Sequence, residues 1–216
     1  MQCESSDEEW AQPFLDVEDP LPNQICPFAT TSEISIKRML EISSTTKDDI
    51  ILDMGCGDGR IVIYAAKHFG IRSIGLDINP DLIKLAKENA IKEGVDHLVV
   101  FKVQDMANDS FDFKLTTIDS NFFSTTDTST PLVYPTILTC YLIPRALKAI
   151  EPKIKKLVRE KGFIQDHRDI RIATIVYPFE RWQEVETDNQ LKIFLYNNKS
   201  IDITPKSLDS SNPVFI

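Results

Sequence analysis

Residues 51–60 have the sequence ILDMGCGDGR, and the fold of the whole chain is predicted outward from this stretch. The apolar run at 49–54 is short and bounded by turn-forming residues, which is typical of a buried strand in a parallel sheet. Gly55, Gly57 and Gly59 follow at once, and the apolar spacing of residues 59–69 indicates a helix that ends at Gly70. Glycines at a strand-to-helix junction let the backbone approach a ligand closely. The stretch therefore predicts a ligand-binding turn.

The alternation of strands and helices continues along the chain. We expect helices at 31–43, 79–94 and 144–159, with Ile34 and Leu85 among their inward-facing residues. We expect strands at 73–78, 97–103, 133–142 and 171–177, and a closing hairpin of 191–196 with 200–203. This order predicts a doubly wound, Rossmann-like α/β sheet of seven strands, mostly parallel, with an antiparallel C-terminal hairpin.

Acidic residues stand at the ends of three successive predicted strands. Asp53 ends the first, Asp77 ends the second, and Asp105 follows the third. A carboxylate at the second position can accept hydrogen bonds from both ribose hydroxyls of an adenosine, and one at the third can accept from the adenine amine. In a doubly wound sheet the carboxyl ends of the first strands meet in one crevice. The three acids together predict a single adenosine-containing ligand.

These residues resemble motif I of the class I S-adenosylmethionine-dependent methyltransferases. The resemblance implies that Asp53, Gly55 and Gly57 line the methionine part of S-adenosylmethionine, Asp77 the ribose and Asp105 the adenine. A dinucleotide site requires G-x-G-x-x-G, and Arg60 occupies the last position of that pattern. An NAD-dependent oxidoreductase is therefore a remote alternative.

Three neighbouring residues each have two interpretations. Cys56 lies beside the expected ligand, although a small residue that fills space in the loop also explains it. Asp58 is a further candidate cofactor contact or the N-cap of the following helix. Arg60 contacts substrate or, as we favour, is solvated.

A smaller group of methyltransferases carries a more specific resemblance. The segments CPFATT at 26–31, GDGRI at 57–61 and YLIP at 141–144 are similar to lysine methyltransferases of the ATP synthase c-subunit and related bacterial proteins. The similarity covers roughly residues 26 to 200, and insertions near 107–131 and 160–169 depart from it. We expect the first of these insertions to lie on the surface. The resemblance implies a protein-lysine N-methyltransferase.

The end of the fourth predicted strand is where the methyl acceptor is expected. Tyr141 is the candidate catalytic residue there, and an aromatic wall without a chemical role is the alternative. Amide and nucleobase methyltransferases of this fold place Asn/Asp-Pro-Pro-Tyr/Phe at that strand end, whereas residues 139–142 are TCYL. A lysine or a small molecule is therefore favoured as acceptor, and an inactive cofactor-binding scaffold is a further alternative.

Composition limits the partners and the compartment. The net charge is −9, but residues 1–25 hold seven acids and no Lys or Arg, so 26 acids face 24 bases elsewhere. We expect an acidic disordered arm at 1–25 and a methyltransferase domain at 26–216. A nearly neutral body disfavours nucleic acid as partner. The scattered cysteines predict no metal site. The sequence shows no membrane span or targeting segment, so we expect no membrane contact and a cytoplasmic protein, with the nucleus as the alternative compartment. We also expect a monomer.

Overall fold

A seven-stranded sheet forms the centre of the computed structural model, which describes residues 30–119, 122, 134–161, 163–164 and 168–201. The strands are β1 (Ile50–Met54), β2 (Arg72–Asp77), β3 (Val99–Val103), β4 (Ile137–Cys140), β5 (Phe163–Ile164), β6 (Arg168–Asp169), β7 (Arg171–Ile175), β8 (Glu186–Asp188) and β9 (Ile193–Tyr196). The helices are α1 (Glu33–Ile42), α2 (Arg60–Phe69), α3 (Pro80–Lys92), α4 (Leu115–Ile118) and α5 (Pro144–Lys161), and a 3-10 helix spans Asn198–Ser200. The acidic arm predicted at 1–25 lies outside the described residues.

The order of the strands in the sheet is β3-β2-β1-β4-β7-β9-β8, while β5 and β6 pair separately. The first five strands in this order are parallel, and β9 runs antiparallel to both β7 and β8. The chain winds outward from β1 in one direction to β3 and in the other to β7. The order therefore reverses beside β1, which places a ligand crevice at the carboxyl ends of β1 and its neighbours. This architecture confirms the predicted doubly wound fold.

The core lies on both faces of the sheet because consecutive side chains of β1 point in opposite directions. Leu52 and Met54 join the hydrophobic cluster that includes the inward face of α5. Ile51 joins the cluster formed with α1, α2 and α3. Burial on both faces explains why the central strand is a continuous apolar run in the sequence.

The C-terminal hairpin differs from the prediction in its second strand. β9 pairs with the upstream strand β8, and Ser200 lies in a 3-10 helix rather than in a strand. Asn197 accepts a hydrogen bond from the Lys199 amide, and the Ser200 hydroxyl accepts one from the Asn197 amide, so the chain turns into a 3-10 helix there. β8 is short, charged and largely exposed, so hydrophobic alternation does not mark it. Residues 202 and 203 lie outside the described part of the chain.

Two predicted inward-facing residues are exposed. Ile34 of α1 is 71% exposed and Leu85 of α3 is 42% exposed. The buried face of α1 contains Ile36, and that of α3 contains Ile83. Each wrongly assigned residue lies two positions from that buried neighbour, about 200° around the helix. The helices form as expected, but these two side chains face outward.

The first part of the expected surface insertion packs into the core. Phe111, Phe113 and Leu115 are buried in the cluster that contains α5, and the two aromatic rings meet edge to face at 5.0 Å. Lys153 of α5 donates hydrogen bonds to the carbonyl oxygens of Met106 and Ala107, both at 3.1 Å. The prediction of a surface segment is wrong here because only alternate residues are apolar and the polar ones between them dominate the composition. Residues 123–133 lie outside the described residues.

Ion pairs hold the β8 edge of the sheet against α1. Arg38 of α1 donates from Nε to Asp188 Oδ2 at 2.9 Å, and its guanidinium lies 3.9 Å from the carboxylate of Glu186. The Leu191 amide also donates to Asp188, and these contacts lower the pKa of that carboxyl. Both acids of this three-residue strand therefore face the same cation.

Candidate active site

The turn between β1 and α2 requires glycine at several positions. Gly55, Gly57 and Gly59 have φ values of +80°, +55° and +81°. A Cβ on Gly55 would lie 2.7 Å from a methyl carbon of Leu142, and one on Gly59 would lie 2.7 Å from the ring of Phe101. Left-handed backbone and close packing both exclude larger residues. The chain thereby forms a tight cradle at the carboxyl end of β1.

Asp77 organises this turn from the end of β2. Its Oδ2 accepts a hydrogen bond from the Gly57 amide and its Oδ1 accepts one from the Asn79 amide, each at 2.9 Å. The residue is buried, and burial raises the pKa of its carboxyl above the ordinary value, while these backbone donors oppose the rise. Asp77 therefore joins the glycine turn to the start of α3.

Asp53 lies at the end of β1 and is only 1% exposed. Its Oδ1 accepts a hydrogen bond from the Thr139 hydroxyl at 2.6 Å, whereas no described residue donates to Oδ2. Burial raises the pKa of Asp53 to about 7, the Thr139 hydrogen bond lowers it, and repulsion from Asp77 and Asp58 adds to the rise. A buried carboxylate oxygen without a donor is costly unless a ligand supplies one. Oδ2 of Asp53 thus lacks a hydrogen-bond partner among the described residues, and a cationic or hydrogen-bonding group of a ligand could supply one.

Asp105 lies beyond the end of β3 and is exposed. Its Oδ1 accepts a hydrogen bond from the Ala107 amide at 2.9 Å. Asp77 is in register with Val103, two residues before Asp105. The structure therefore brings Asp53 and Asp77 close enough to interact electrostatically and places Asp105 along the same edge of the sheet.

Asp58 and Arg60 form an ion pair, which neither sequence interpretation anticipated. Arg60 Nη2 lies 2.6 Å from Asp58 Oδ2, and its Nη1 donates to the carbonyl oxygen of Thr31 at 3.0 Å. The N-cap of α2 is Gly59, so the N-cap interpretation of Asp58 is wrong, although Asp58 also accepts from the Arg60 amide at 3.3 Å. The prediction that Arg60 is simply solvated is wrong as well. The pair ties the glycine turn to the beginning of α1.

Cys56 fills space beneath the turn. It is 5% exposed, and a Cβ on Gly75 of β2 would lie 2.8 Å from its sulfur. Burial and the neighbouring acids Asp53 and Asp77 raise the pKa of the Cys56 thiol well above the ordinary value. A neutral buried thiol is unreactive. The space-filling interpretation of Cys56 is supported.

The carboxyl ends of β4 and β7 form the neighbouring wall. Tyr141 follows β4 and Val176 follows β7, and both are half-buried against the hydrophobic cluster that includes α1, α2 and α3. Val176 has a φ of +70°, and the Tyr177 amide donates to the carbonyl oxygen of Ile175 at 2.9 Å across it. Positive φ is rare for a β-branched residue and is concentrated at functional sites. Sequence reasoning missed Val176 because nothing in its local pattern signals this conformation.

The described residues carry neither a metal-binding cluster nor a membrane-spanning helix. That part of the chain contains no group of three or more His, Cys, Asp or Glu residues placed to hold a metal ion. Within the same residues, every helix is too short or too polar to cross a bilayer.

Known proteins are similar to this chain in fold and in sequence. The profile of the ANTKMT methyltransferase domain matches residues 53–186. A protein-lysine N-methyltransferase of Saccharolobus islandicus (strain REY15A) is 30% identical over 142 residues, which cover 65% of this chain and 75% of that protein. The lysine N-methyltransferase of the ATP synthase c-subunit from Homo sapiens is 28% identical over 173 residues, covering 80% of this chain but only 60% of that protein. The crystal structure of an RNA methyltransferase from Salinibacter ruber with S-adenosyl-L-homocysteine is similar with a TM-score of 0.55 and 28% identity, covering 84% of this chain and 99% of that one.

The strand order, the glycine turn and these similarities define a class I S-adenosylmethionine-dependent methyltransferase. Within that class the chain belongs to the family of the ANTKMT methyltransferase domain. Its cofactor is S-adenosyl-L-methionine, and the residues present fit this molecule because the turn carries no side chain at Gly55, Gly57 or Gly59 and Asp53 has a buried oxygen without a described donor. The predictions of a methyltransferase and of its cofactor are confirmed, and the oxidoreductase alternative is not supported.

Proposed function

We propose that the chain transfers a methyl group from S-adenosylmethionine to the side-chain amine of a protein lysine. The observation that carries this proposal is the family match over residues 53–186 together with archaeal and human relatives named as lysine N-methyltransferases. The acceptor end of the sheet agrees with it, because residues 139–142 lack the Asn/Asp-Pro-Pro-Tyr/Phe segment expected for amide and nucleobase acceptors.

The cofactor is proposed to contact the ends of the first three strands. The Asp53 carboxylate, next to the turn at Gly55 and Gly57, accepts from the ammonium group of the methionine part. Asp77 accepts from the ribose hydroxyls and Asp105 from the adenine amine. The five residues together span the whole molecule from its amino-acid end to its base.

Two further residues are proposed to hold the cofactor by shaping the turn. Cys56 packs against Gly75 of β2 and so supports the backbone from beneath. Asp58 fixes the turn through its ion pair with Arg60. Both residues therefore set the path of the backbone that the cofactor approaches.

The chemistry requires a neutral amine in line with the methyl group. S-adenosylmethionine supplies an already activated methyl group: as the bond from carbon to the acceptor nitrogen forms, the bond from carbon to sulfur breaks, and the amine proton passes to solvent. A free lysine amine has a pKa near 10.4, and apolar surroundings lower it because they disfavour the charged form. Tyr141 and Val176, which follow the adjacent strands β4 and β7 and pack against the same hydrophobic cluster, are proposed to provide that apolar wall, and Tyr141 to align the amine.

Radiolabelled S-adenosylmethionine tests the acceptor. The protein is incubated with the labelled donor and a cell extract freed of small molecules, in parallel with the same extract after acetylation of its lysine amines, which removes their nucleophilic lone pair. We expect protease-sensitive label that yields methyl-lysine on hydrolysis and that is lost from the acetylated extract. Label removed by ribonuclease, or label retained after acetylation, would contradict a lysine acceptor. Asp77→Asn serves as the cofactor-binding-deficient control.

A further inference from the structure

Thr139 lies in β4, two residues before Tyr141 at the carboxyl end of that strand. It is fully buried in β4, in register with Asp53 of the adjacent strand β1. Its hydroxyl donates to Oδ1 of Asp53 at 2.6 Å, a short distance typical of a hydrogen bond to an ionised oxygen. The bond joins the two strands whose carboxyl ends form the cofactor turn and the acceptor wall.

The surroundings of Asp53 otherwise favour its neutral form. Asp77 faces it from β2 and Asp58 from the glycine turn, and both repel a second negative charge. The thiols of Cys56 and Cys140 also lie near it; burial raises the pKa of each, and the negative charge of Asp53 adds to the rise. Arg60, which could offer a positive charge nearby, is committed to Asp58. Among the interactions that act on Asp53, the Thr139 hydrogen bond is the one that favours the carboxylate.

We propose that Thr139 is a positioning residue: by donating to Oδ1 it keeps Asp53 negatively charged and directs the unpartnered Oδ2 toward the ammonium group of S-adenosylmethionine. This inference rests on the cofactor site proposed above. Thr139 would thereby contribute to cofactor affinity and not only to the packing of β4.

The proposal predicts a specific dependence of affinity on pH. Without the hydroxyl, the pKa of Asp53 rises from about 7 by roughly one further pH unit, because a hydrogen bond to a charged group has about that effect. In Thr139→Val the carboxylate is then scarcer below neutral pH and nearly complete at pH 9. The affinity loss relative to the unmodified protein should therefore be about tenfold at pH 6 and close to onefold at pH 9.

Calorimetric titration with S-adenosylhomocysteine at pH 6, 7, 8 and 9 measures this ratio. The ligand's own amine titrates equally in every experiment, so it cancels when variants are compared at the same pH. Thr139→Ser retains the donor and should bind within about threefold of the unmodified protein at every pH, while Thr139→Val retains the shape of the side chain. Circular dichroism melts establish that both variants are folded.

Each outcome has a distinct meaning. A loss in Thr139→Val that shrinks as the pH rises, with rescue by Thr139→Ser, supports the proposal. A loss that is the same at every pH, or no loss at pH 6, would overturn it while leaving the cofactor site intact. Failure of the unmodified protein to bind the ligand, or unchanged binding by Asp53→Asn, would overturn the proposed cofactor site itself and the role of Thr139 with it.

Discussion

Replacing Asp53 by Asn should make the cofactor-free protein more stable while it weakens cofactor binding. Burial raises the pKa of Asp53 from 3.8 to about 7. Because the folded protein binds this proton more tightly than the unfolded chain, stability is highest at low pH and is lost as the pH rises through about 7. Asn has the same shape as Asp but carries no charge, so the variant escapes this loss.

The size of the effect follows from the two pKa values. A rise from 3.8 to about 7 corresponds to about 4 kcal/mol of lost stability at pH 8 and about 2 kcal/mol at pH 5. The Asn amide has no acceptor among the described residues where Oδ2 now lies, and this cost is similar at both pH values. The measured quantity is therefore the widening of the gap in stability between variant and unmodified protein, roughly 2–3 kcal/mol from pH 5 to pH 8.

Urea unfolding of the cofactor-free proteins at pH 5 and pH 8 measures this gap. Asp109→Asn, the same substitution at an exposed carboxylate, is the matched control and should show no comparable widening. A gap of equal size at the two pH values would refute the reasoning, because it would mean that Asp53 does not exchange its proton between pH 5 and pH 8.

Substitutions at three further positions test other parts of the structure. Asp77→Asn should weaken S-adenosylmethionine binding by a hundredfold or more, because each lost charge-assisted hydrogen bond is worth about 1.5–3 kcal/mol; calorimetric affinity within threefold of the unmodified protein would contradict the ribose assignment. Tyr141→Phe should retain most of kcat and Tyr141→Ala should lose it if the ring acts as a wall, and an equal loss in both would instead assign the chemistry to the hydroxyl. Phe113→Ala should destabilise the protein by about 3–5 kcal/mol in urea unfolding. A change below about 1 kcal/mol would mean that residues 111–115 lie at the surface and do not pack into the core.

The sequence was sufficient to predict the parallel part of the sheet and the cofactor turn. Both depend on local signals: continuous apolar runs for strands buried on two faces, and glycines where the backbone is left-handed, as at Gly55. The location of Asp53 and Asp77 follows from the same logic, since parallel strands end along one edge.

The features that escaped prediction depend on contacts between distant parts of the chain. β8 is a strand because it pairs with β9 and Arg38 holds its acids, not because of its own apolar pattern. The ion pair between Asp58 and Arg60 was not predicted, because the sequence supports two local interpretations of Asp58 equally well, a cofactor contact and an N-cap. Thr139 becomes significant only when the register of β1 and β4 sets it opposite Asp53.

The ion pairs at β8 also affect how copies of this chain can associate. An edge strand offers unpaired backbone groups to any other strand that approaches, and proteins blunt this hazard with short, charged edges. At β8 the edge is three residues long, and Glu186 and Asp188 are held by Arg38. A second copy that extended the sheet here would set like charges against each other, so growth of the sheet from one molecule into the next is opposed at this edge by the two acids whose contacts with Arg38 also hold it against α1.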